Sequence, residues 1–339
     1  MNAEEIDTNL YSRQIGTIGM DTMRKLMQLK ILIIGLRGLG IEIAKNIILA
    51  GPKKVSLFDP EISKMNDLGS NCFLSEEDVK KEKRRDESCL LKLSKLNPNV
   101  NVDIMEGDNI MQKIINYNLI VISEFMNKEK LFIIDDECRK NKIGFIYAVS
   151  MGITSFCFVD FGEHLIFDKN GEECKTYIIK KISENGEIFI DREINRNMNI
   201  NKGSYLIFRE VGGLDELNNG KPRMVTKTTP LSLFISDSLK YQNYTGGGIC
   251  EEVKEKITKK FYPLREIFFI PYTDYKSMPF DLTKIGINET IHCGIIAIHE
   301  YYEKNNNTLP ELNNDKMSNE ILKIAKEILK MPKKIRKNG

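Results

Sequence analysis

The chain has 339 residues, and its 50 Lys and Arg against 48 Asp and Glu give a formal net charge of +2. Hydrophobic residues make up 41% and charged residues 29%, which is typical of globular proteins and argues against a disordered or fibrous chain. A nearly neutral total gives no general attraction to nucleic acid or to a membrane surface, so neither is expected as a partner. No apolar run approaches about 18 residues, so no transmembrane helix is predicted.

The seven cysteines are scattered, and no two of them form a Cys-x-x-Cys pair. The chain has only three histidines, and His292 and His299 are interpreted as packing or surface residues. This pattern argues against a disulfide framework and a zinc centre and indicates a reducing compartment. No metal site is therefore expected. The polar, acidic N-terminus does not resemble a secretory signal.

The first part of the chain alternates predicted helices and strands. Helices are predicted at 15–28, 41–50, 76–96 and 128–141, and strands at 31–34, 54–58, 101–105, 119–122, 144–149 and 155–160. This alternation predicts an α/β fold, a doubly wound Rossmann-like sheet, as a first domain over residues 1–165.

The sequence pattern changes at about residue 166, from alternating helices and strands to short segments separated by turn residues. Turn signals at roughly ten-residue spacing predict a small inserted antiparallel β domain over residues 166–255. Helices are then predicted at 291–302 and 318–330, in a C-terminal helical segment of residues 256–339. The basic tail after Lys330 ends without a capped element. We therefore expect this segment to stop before its natural domain does, so that the chain is a fragment of a longer protein.

A glycine-rich turn, with Gly35, Gly38 and Gly40, follows the first predicted strand. Glycines let the backbone approach a phosphate, and the following helix offers free N–H groups. Asp59 ends the second strand, near the spacing expected for a ribose-binding acid. The pattern is not the dinucleotide motif, because Arg37 takes the second glycine position, and it is not a P-loop, because no Gly-Lys-Ser/Thr follows. Two alternatives stay open: a nucleotide site, or a tight strand-to-helix turn with Asp59 as a solvated strand end.

Four stretches resemble the MoeB/ThiF-like adenylation family, and specifically the N-terminal half of eukaryotic ubiquitin-activating enzymes. They are YSRQ at 11–14, the glycine turn with its helix at 35–51, DLGSNCFLSEEDV at 67–79, and the segments GSYLIFREVGGLDELNNGK and YTGGGICEEV within 203–253. The resemblance covers about residues 10–330. It implies that residues 166–255 form a first catalytic-cysteine half-domain and that the later helices begin a four-helix bundle.

The resemblance implies a role without catalysis. In this family an active C-terminal half binds Mg-ATP and ubiquitin and makes ubiquitin-adenylate, and a separate cysteine domain accepts ubiquitin as a thioester. The N-terminal half is inactive, so no cofactor is expected in this chain. The implied partners are ubiquitin, the active half and, through the complete enzyme, ubiquitin-conjugating enzymes, in the cytoplasm and nucleus.

Two alternatives from other classes are weaker. The small subunit of a SUMO-activating heterodimer has a similar length and first domain, but it has no counterpart to residues 203–253. A nucleotide-dependent oxidoreductase would need a glycine pattern suited to pyrophosphate and an acid–base residue. Arg37 in the turn and the scarcity of histidine count against it.

The resemblance also implies that two groups required for adenylation are absent from this chain. Ser70 stands where the active half has an arginine for the ATP phosphates, and Met126 stands where it has an aspartate for Mg²⁺. A hydroxyl lacks the charge of a guanidinium, and a thioether cannot replace a carboxylate on a hard cation. Adenylation by this chain is therefore not expected. The vestigial nucleotide site would comprise Gly35, Gly38, Gly40 and Asp59.

One residue is implied in catalysis by the complete enzyme. In this family an arginine of the Tyr-x-Arg-Gln segment reaches from the inactive half toward ATP phosphates in the active half. The matching residue is Arg13. Such an arginine delivers positive charge in trans only when the two halves dock. The alternative is a helix-start arginine in a surface ion pair.

Overall fold

The computed structural model describes residues 6–107, 109–166, 174–191, 200–236, 241–254, 256–268, 287–311 and 313–330. The chain divides into two compact units. One unit combines Met1–Gly162 with Lys260–Gly339, and the other is Glu163–Lys259. The unit boundaries thus fall within a few residues of the expected insertion at 166–255. The helical segment after the insertion belongs to the same unit as the first segment.

A six-stranded sheet forms the centre of the first unit. Its strands are β1 (Lys30–Ile34), β2 (Lys54–Phe58), β3 (Asn101–Ile104), β4 (Leu119–Ile122), β5 (Gly144–Met151) and β6 (Thr154–Asp160). Their order is β3-β2-β1-β4-β5-β6. Strands β1 to β5 are parallel, and β6 pairs antiparallel with β5. The predicted doubly wound α/β architecture is confirmed.

The first unit also contains ten α-helices among the described residues, from four to 18 residues long. They are α1 (Ser12–Ile18), α2 (Met20–Leu26), α3 (Gly38–Ala50), α4 (Glu76–Lys80), α5 (Arg85–Ser94), α6 (Ile110–Lys113), α7 (Lys128–Lys140), α8 (Leu264–Ile267), α9 (Ile287–Lys304) and α10 (Asp315–Lys330). Because successive strand residues face opposite sides, β1 divides between two cores. Leu32 and Ile34 join the core that includes α7 and α9, and Ile31 and Ile33 join the core that includes α3 and α5.

Two predicted helices are interrupted. The helix expected at 15–28 is broken into α1 and α2 at Gly19, whose φ of 80° favours glycine. The helix expected at 76–96 is broken into α4 and α5 at Glu82, whose φ is 52°. There the chain turns to form an antiparallel bridge between Ile62 and Arg84. Pairing with another segment thus overrides the local helical preference.

The second unit is a closed antiparallel barrel with order β10-β11-β12-β9-β8-β13, beside a two-stranded sheet of β7 and β14. The strands are β7 (Glu163–Ile166), β8 (Thr176–Ile182), β9 (Ile188–Ile190), β10 (Tyr205–Arg209), β11 (Arg223–Thr228), β12 (Ser232–Ile235), β13 (Ile249–Val253) and β14 (Ile257–Lys260). Phe208, Leu233 and Cys250 are fully buried in its core. The predicted inserted antiparallel β domain is confirmed.

Helix α7 holds the helical segment that follows the insertion. Asp135 Oδ2 accepts a hydrogen bond of 2.7 Å from the backbone N–H of Leu264, at the start of α8. At the other end of α7, Lys128 forms ion pairs with Glu300 and Glu303 of α9. These contacts and the shared apolar core make the two distant chain segments one unit.

His299 joins α9 to the sheet. It is fully buried, and its Nε2 lies 3.2 Å from the Tyr147 hydroxyl on β5. The ring centroids of Phe125 and Phe268 lie 4.6 and 5.1 Å from that of His299. His292 is also buried, at 5% exposure. Both histidines are therefore packing residues.

Among the described residues, no helix combines the length and apolar character needed to cross a membrane.

Replacing His299 with Gln is expected to remove a source of acid sensitivity. Burial lowers the pKa of His299 to about 4, and the charge of Lys128 acts in the same direction. An unfolded histidine has a pKa of about 6.5, so the unfolded chain binds more protons between these values. The stability contributed by neutral His299 is full above about pH 6.5 and falls by about 1.4 kcal/mol per pH unit toward pH 4.

Urea unfolding of both proteins across this range measures the difference directly. The free-energy advantage of the wild type over His299→Gln should shrink as the pH falls. A difference that is constant with pH would contradict the assignment. All other titrating groups are shared by the two proteins, so their contributions cancel.

Candidate functional site

The glycine turn connects β1 to α3 and is shaped by close packing. Gly35 has a φ of 86°, and its carbonyl accepts a hydrogen bond of 2.7 Å from Ser123 Oγ after β4. A Cβ on Gly40 would lie 2.0 Å from the Gly35 oxygen, and a Cβ on Gly38 would lie 2.8 Å from Ser70 Cβ. These contacts require glycine whether or not a ligand is present.

Asp59 is the centre of a buried ionic network. It is fully buried, and its Oδ2 accepts hydrogen bonds from the backbone N–H of Leu36, at 2.7 Å, and from Arg85 Nε, at 2.8 Å. Arg85 is 1% exposed and also donates to Asp67 Oδ2, at 3.2 Å. The interpretation of Asp59 as a solvated strand end is therefore wrong, because Asp59 binds the glycine turn and a buried arginine.

Asn71 fastens the loop after β2 to the glycine turn. Its Nδ2 donates a hydrogen bond of 2.8 Å to the Leu36 carbonyl, and its Oδ1 accepts one of 3.0 Å from the Phe73 N–H. Leu36 is thus bound on both sides of its backbone, through its N–H to Asp59 and through its carbonyl to Asn71. Ser70, next in the chain to Asn71, lies against the first turn of α3.

A cavity of about 1010 Å³ opens at the carboxyl edge of the parallel strands. Residues that follow β1, β2 and β4 line it, together with Val149 and Ser150 near the end of β5, Tyr302 near the end of α9 and the loop after α9. A doubly wound sheet places its ligand sites at this edge. The charged residues of the lining are Arg37, Glu61, Lys64, Arg85, Glu124 and Lys130.

Glu124, which follows β4, is an unusual member of that lining. Burial raises the pKa of its carboxyl to about 7, and the negative charge of Asp59 acts in the same direction. The positive charges of Arg85, Arg37 and Lys130 oppose the shift. Glu124 makes no hydrogen bond or ion pair with any residue that the structure describes.

The four residues of the expected vestigial site lie close together, but they differ in their access to the cavity. Gly38 lines the cavity, Gly35 and Gly40 pack inside the turn, and Asp59 is fully buried. Met126, at the expected Mg²⁺ position, lines the cavity and is 6% exposed. Within the described part of the chain, no three His, Cys, Asp or Glu side chains are grouped closely enough to hold a metal ion.

Arg13 lies outside this cavity, on α1. The flanking residues of its motif are anchored: the Tyr11 hydroxyl accepts a hydrogen bond of 2.9 Å from Asn97 Nδ2, and Gln14 Nε2 donates one of 2.9 Å to the Ala50 carbonyl. Tyr11 is buried, whereas Arg13 is exposed. Its guanidinium has no ion-pair or hydrogen-bond partner among the described residues, so the motif presents a free positive charge on a fixed helix.

Sequence reasoning missed Arg85 and Glu124. Arg85 lies in the middle of the helix expected at 76–96, where an arginine is normally solvated. Only the turn at Glu82 brings it to Asp59. Glu124 follows the buried strand β4, at the same edge of the sheet as the glycine turn. Its place after that strand was the one feature of the sequence that could have marked it as a site residue.

Replacing Arg85 with Met is expected to destabilise the folded chain by about 3–5 kcal/mol, because it leaves the buried carboxylates of Asp59 and Asp67 without their cation. Arg24→Met is the matched control. It removes an arginine paired with Asp21 at 2.9 Å on an exposed helix face, and such pairs contribute about 1 kcal/mol or less. Urea unfolding compares the two, and equal small losses would contradict the network.

Three family models match the chain. That of the ThiF family matches residues 11–187, that of the ubiquitin-activating enzyme E1 FCCH domain matches residues 184–254, and that of the ubiquitin-activating enzyme E1 four-helix bundle matches residues 255–329.

Curated relatives are similar along most of the chain. Ubiquitin-like modifier-activating enzyme 1 of Dictyostelium discoideum is 33% identical over 95% of this chain and 31% of its own length. Ubiquitin-activating enzyme E1 2 of Arabidopsis thaliana is 38% identical over 78% of this chain and 25% of its own. Ubiquitin-like modifier-activating enzyme 6 of Homo sapiens is 33% identical over 95% and 30%. The chain thus spans less than a third of the length of these relatives.

Among solved structures, a crystal structure of Escherichia coli MccB with MccA-N7isoASN covers 43% of this chain and 45% of its own. Its TM-score of 0.37 and identity of 20% are too low to bear on function.

Proposed function

Because this chain belongs to the ThiF family, we propose that it is the non-catalytic N-terminal portion of a ubiquitin-activating enzyme. It would support ATP-dependent adenylation of ubiquitin and thioester formation by an active C-terminal half. The order of the three matched family models supports this assignment, as does the similarity to about a third of the length of activating enzymes.

The observation that carries the proposal is the state of the glycine-turn cavity. Its acid, Asp59, is fully buried and already bonded to Leu36 and Arg85. The neutral Ser70 lies against the first turn of α3. Met126 lines the cavity at the position where the active half has an aspartate for Mg²⁺. Adenylation develops charge on phosphate oxygens, and losing one donor for such charge typically costs about 10²–10³ in rate. The cavity keeps its shape without these groups.

Arg13 is proposed to serve the active half. Tyr11 accepts a hydrogen bond from Asn97, after α5, and Gln14 donates one to Ala50, at the end of α3. These bonds anchor α1 and leave Arg13 exposed, with no partner among the described residues. An unpaired guanidinium on a rigid helix can meet phosphate in a bidentate manner without first breaking an internal ion pair. In this role Arg13 acts only after docking.

The remaining partners follow from the same proposal. The barrel unit would face ubiquitin, and ubiquitin-conjugating enzymes would bind through the complete enzyme, with Mg-ATP held by the active half. The cytoplasm and nucleus are the proposed locations. A small subunit of a SUMO-activating heterodimer is the second candidate. The match of residues 184–254 to the FCCH domain of ubiquitin-activating enzymes favours the first.

Complementation tests the proposal. A ubiquitin-activating enzyme truncated to remove the region similar to this chain is mixed with the purified chain, ubiquitin and Mg-ATP. The chain is expected to restore thioester formation, which is measured on non-reducing gels. The controls are each component alone. Restoration by a SUMO-activating large subunit with SUMO, but not by the ubiquitin components, would contradict the first candidate and favour the second.

In that mixture Arg13→Ala is expected to slow ubiquitin-adenylate formation by about 10²-fold or more, because a charged donor to the phosphates is lost. Arg13→Lys should recover only part of the rate, since it lacks the planar fork. Arg24→Ala, on the neighbouring exposed helix, is the matched control and should leave the rate unchanged. Pull-down should show that both variants still dock. An unchanged adenylation rate with Arg13→Ala would contradict the assigned role.

A further inference from the structure

The side chain of Glu124 begins directly against the glycine turn. A Cβ on Gly35 would lie 2.9 Å from the Glu124 Cβ and 3.2 Å from its backbone nitrogen. Glu124 also lines the cavity, on the wall formed by residues that follow β4. A carboxylate therefore stands beside the turn whose shape and helix N-terminus would otherwise favour an anion.

Charged groups from four parts of the fold act on Glu124. Asp59 follows β2, Arg85 begins α5, Arg37 precedes α3 and Lys130 lies on α7. Tyr147 of β5 and Tyr302 of α9 are affected by its negative charge as well.

The three cations that act on Glu124 differ in their other partners. Arg85 is occupied by Asp59 and Asp67. In contrast, Arg37 and Lys130 form no ion pair with any acid in the described part of the chain. The carboxylate of Glu124 is thus placed to neutralise the positive charge that a phosphate would need.

We propose that Glu124 is the residue that excludes phosphate-bearing ligands from the cavity. Its negative charge repels a phosphate at the glycine turn, and its attraction for Arg37 and Lys130 weakens their pull on an external anion. This inference deepens the proposed function and rests on it, because it names the residue that keeps the non-catalytic cavity free of nucleotide. Ser70 and Met126 only remove attraction, whereas Glu124 adds repulsion.

Calorimetric titration of the full 339-residue chain tests the inference. The probes are ATP and inorganic pyrophosphate, each with and without Mg²⁺, at about pH 8, where carboxyl groups are ionised. The variants are Glu124→Gln, which removes the charge at constant size, and Glu124→Ala, which removes it with a smaller side chain. Glu61→Gln is the matched control, because Glu61 is an exposed carboxylate on the same cavity.

Both Glu124 variants are expected to bind ATP and pyrophosphate at least ten-fold more tightly than the wild type, which corresponds to about 1.4 kcal/mol. Glu61→Gln should match the wild type. Thermal unfolding checks that each protein is folded. Glu124 is half-buried and has no ion-pair partner among the described residues, so removing its charge relieves partial desolvation and neither variant should melt below the wild type.

Several results would overturn the inference. They are unchanged affinity in folded Glu124 variants, an equal gain with Glu61→Gln, or Mg²⁺-dependent binding of ATP by the wild type that both Glu124 variants lose, which would make Glu124 a metal ligand. Failure of both variants to fold would assign Glu124 a purely structural role. Complementation is a separate readout: a gain in ATP affinity without any restored thioester formation would uphold Glu124 as the excluding residue while the proposed function fails.

Discussion

The buried ion pair between Asp59 and Arg85 is the constraint on which the site depends. One carboxylate oxygen binds the backbone N–H of the glycine turn and the guanidinium together, at 2.7 and 2.8 Å. The guanidinium then reaches Asp67, in the loop that carries Ser70 and Asn71. The end of β2, the turn before α3, the start of α5 and that loop are thus fixed to one another. Removing one partner would leave an uncompensated buried charge.

This network fixes the shape of the cavity without the help of a ligand. The glycines are needed for the close approach of the turn to Ser70, Ser123 and Glu124, and the acid is needed to hold Leu36 and Arg85. The glycine turn and Asp59 therefore have packing roles that would persist whether or not the cavity binds a nucleotide. The free charge that remains, Arg13, lies on a separate, anchored helix, where it can serve another site.

Sequence patterns predicted the architecture well where local signals agree with tertiary packing. The parallel strands, the glycine turn and the inserted β domain follow from hydrophobic runs and turn residues, and all three are observed. The break at Glu82 was missed, because helical periodicity does not reveal where a chain must turn to pair with another segment. The break at Gly19, where the backbone φ is 80°, was missed as well. The turn at Glu82 delivers Arg85 to Asp59, so the true environment of Asp59 was also missed. No local pattern marks Glu124, since its importance comes from its half-buried position against Gly35.

The most direct test of the central claim is ubiquitin-dependent ATP–pyrophosphate exchange by the purified chain alone. No exchange above that of heat-inactivated chain is expected, because the cavity has no cationic donor at Ser70 and no metal carboxylate at Met126. Exchange that requires ubiquitin and is catalysed by the chain alone would contradict a non-catalytic role. The chain would then be an adenylating enzyme, with phosphate and metal held by other residues of the cavity.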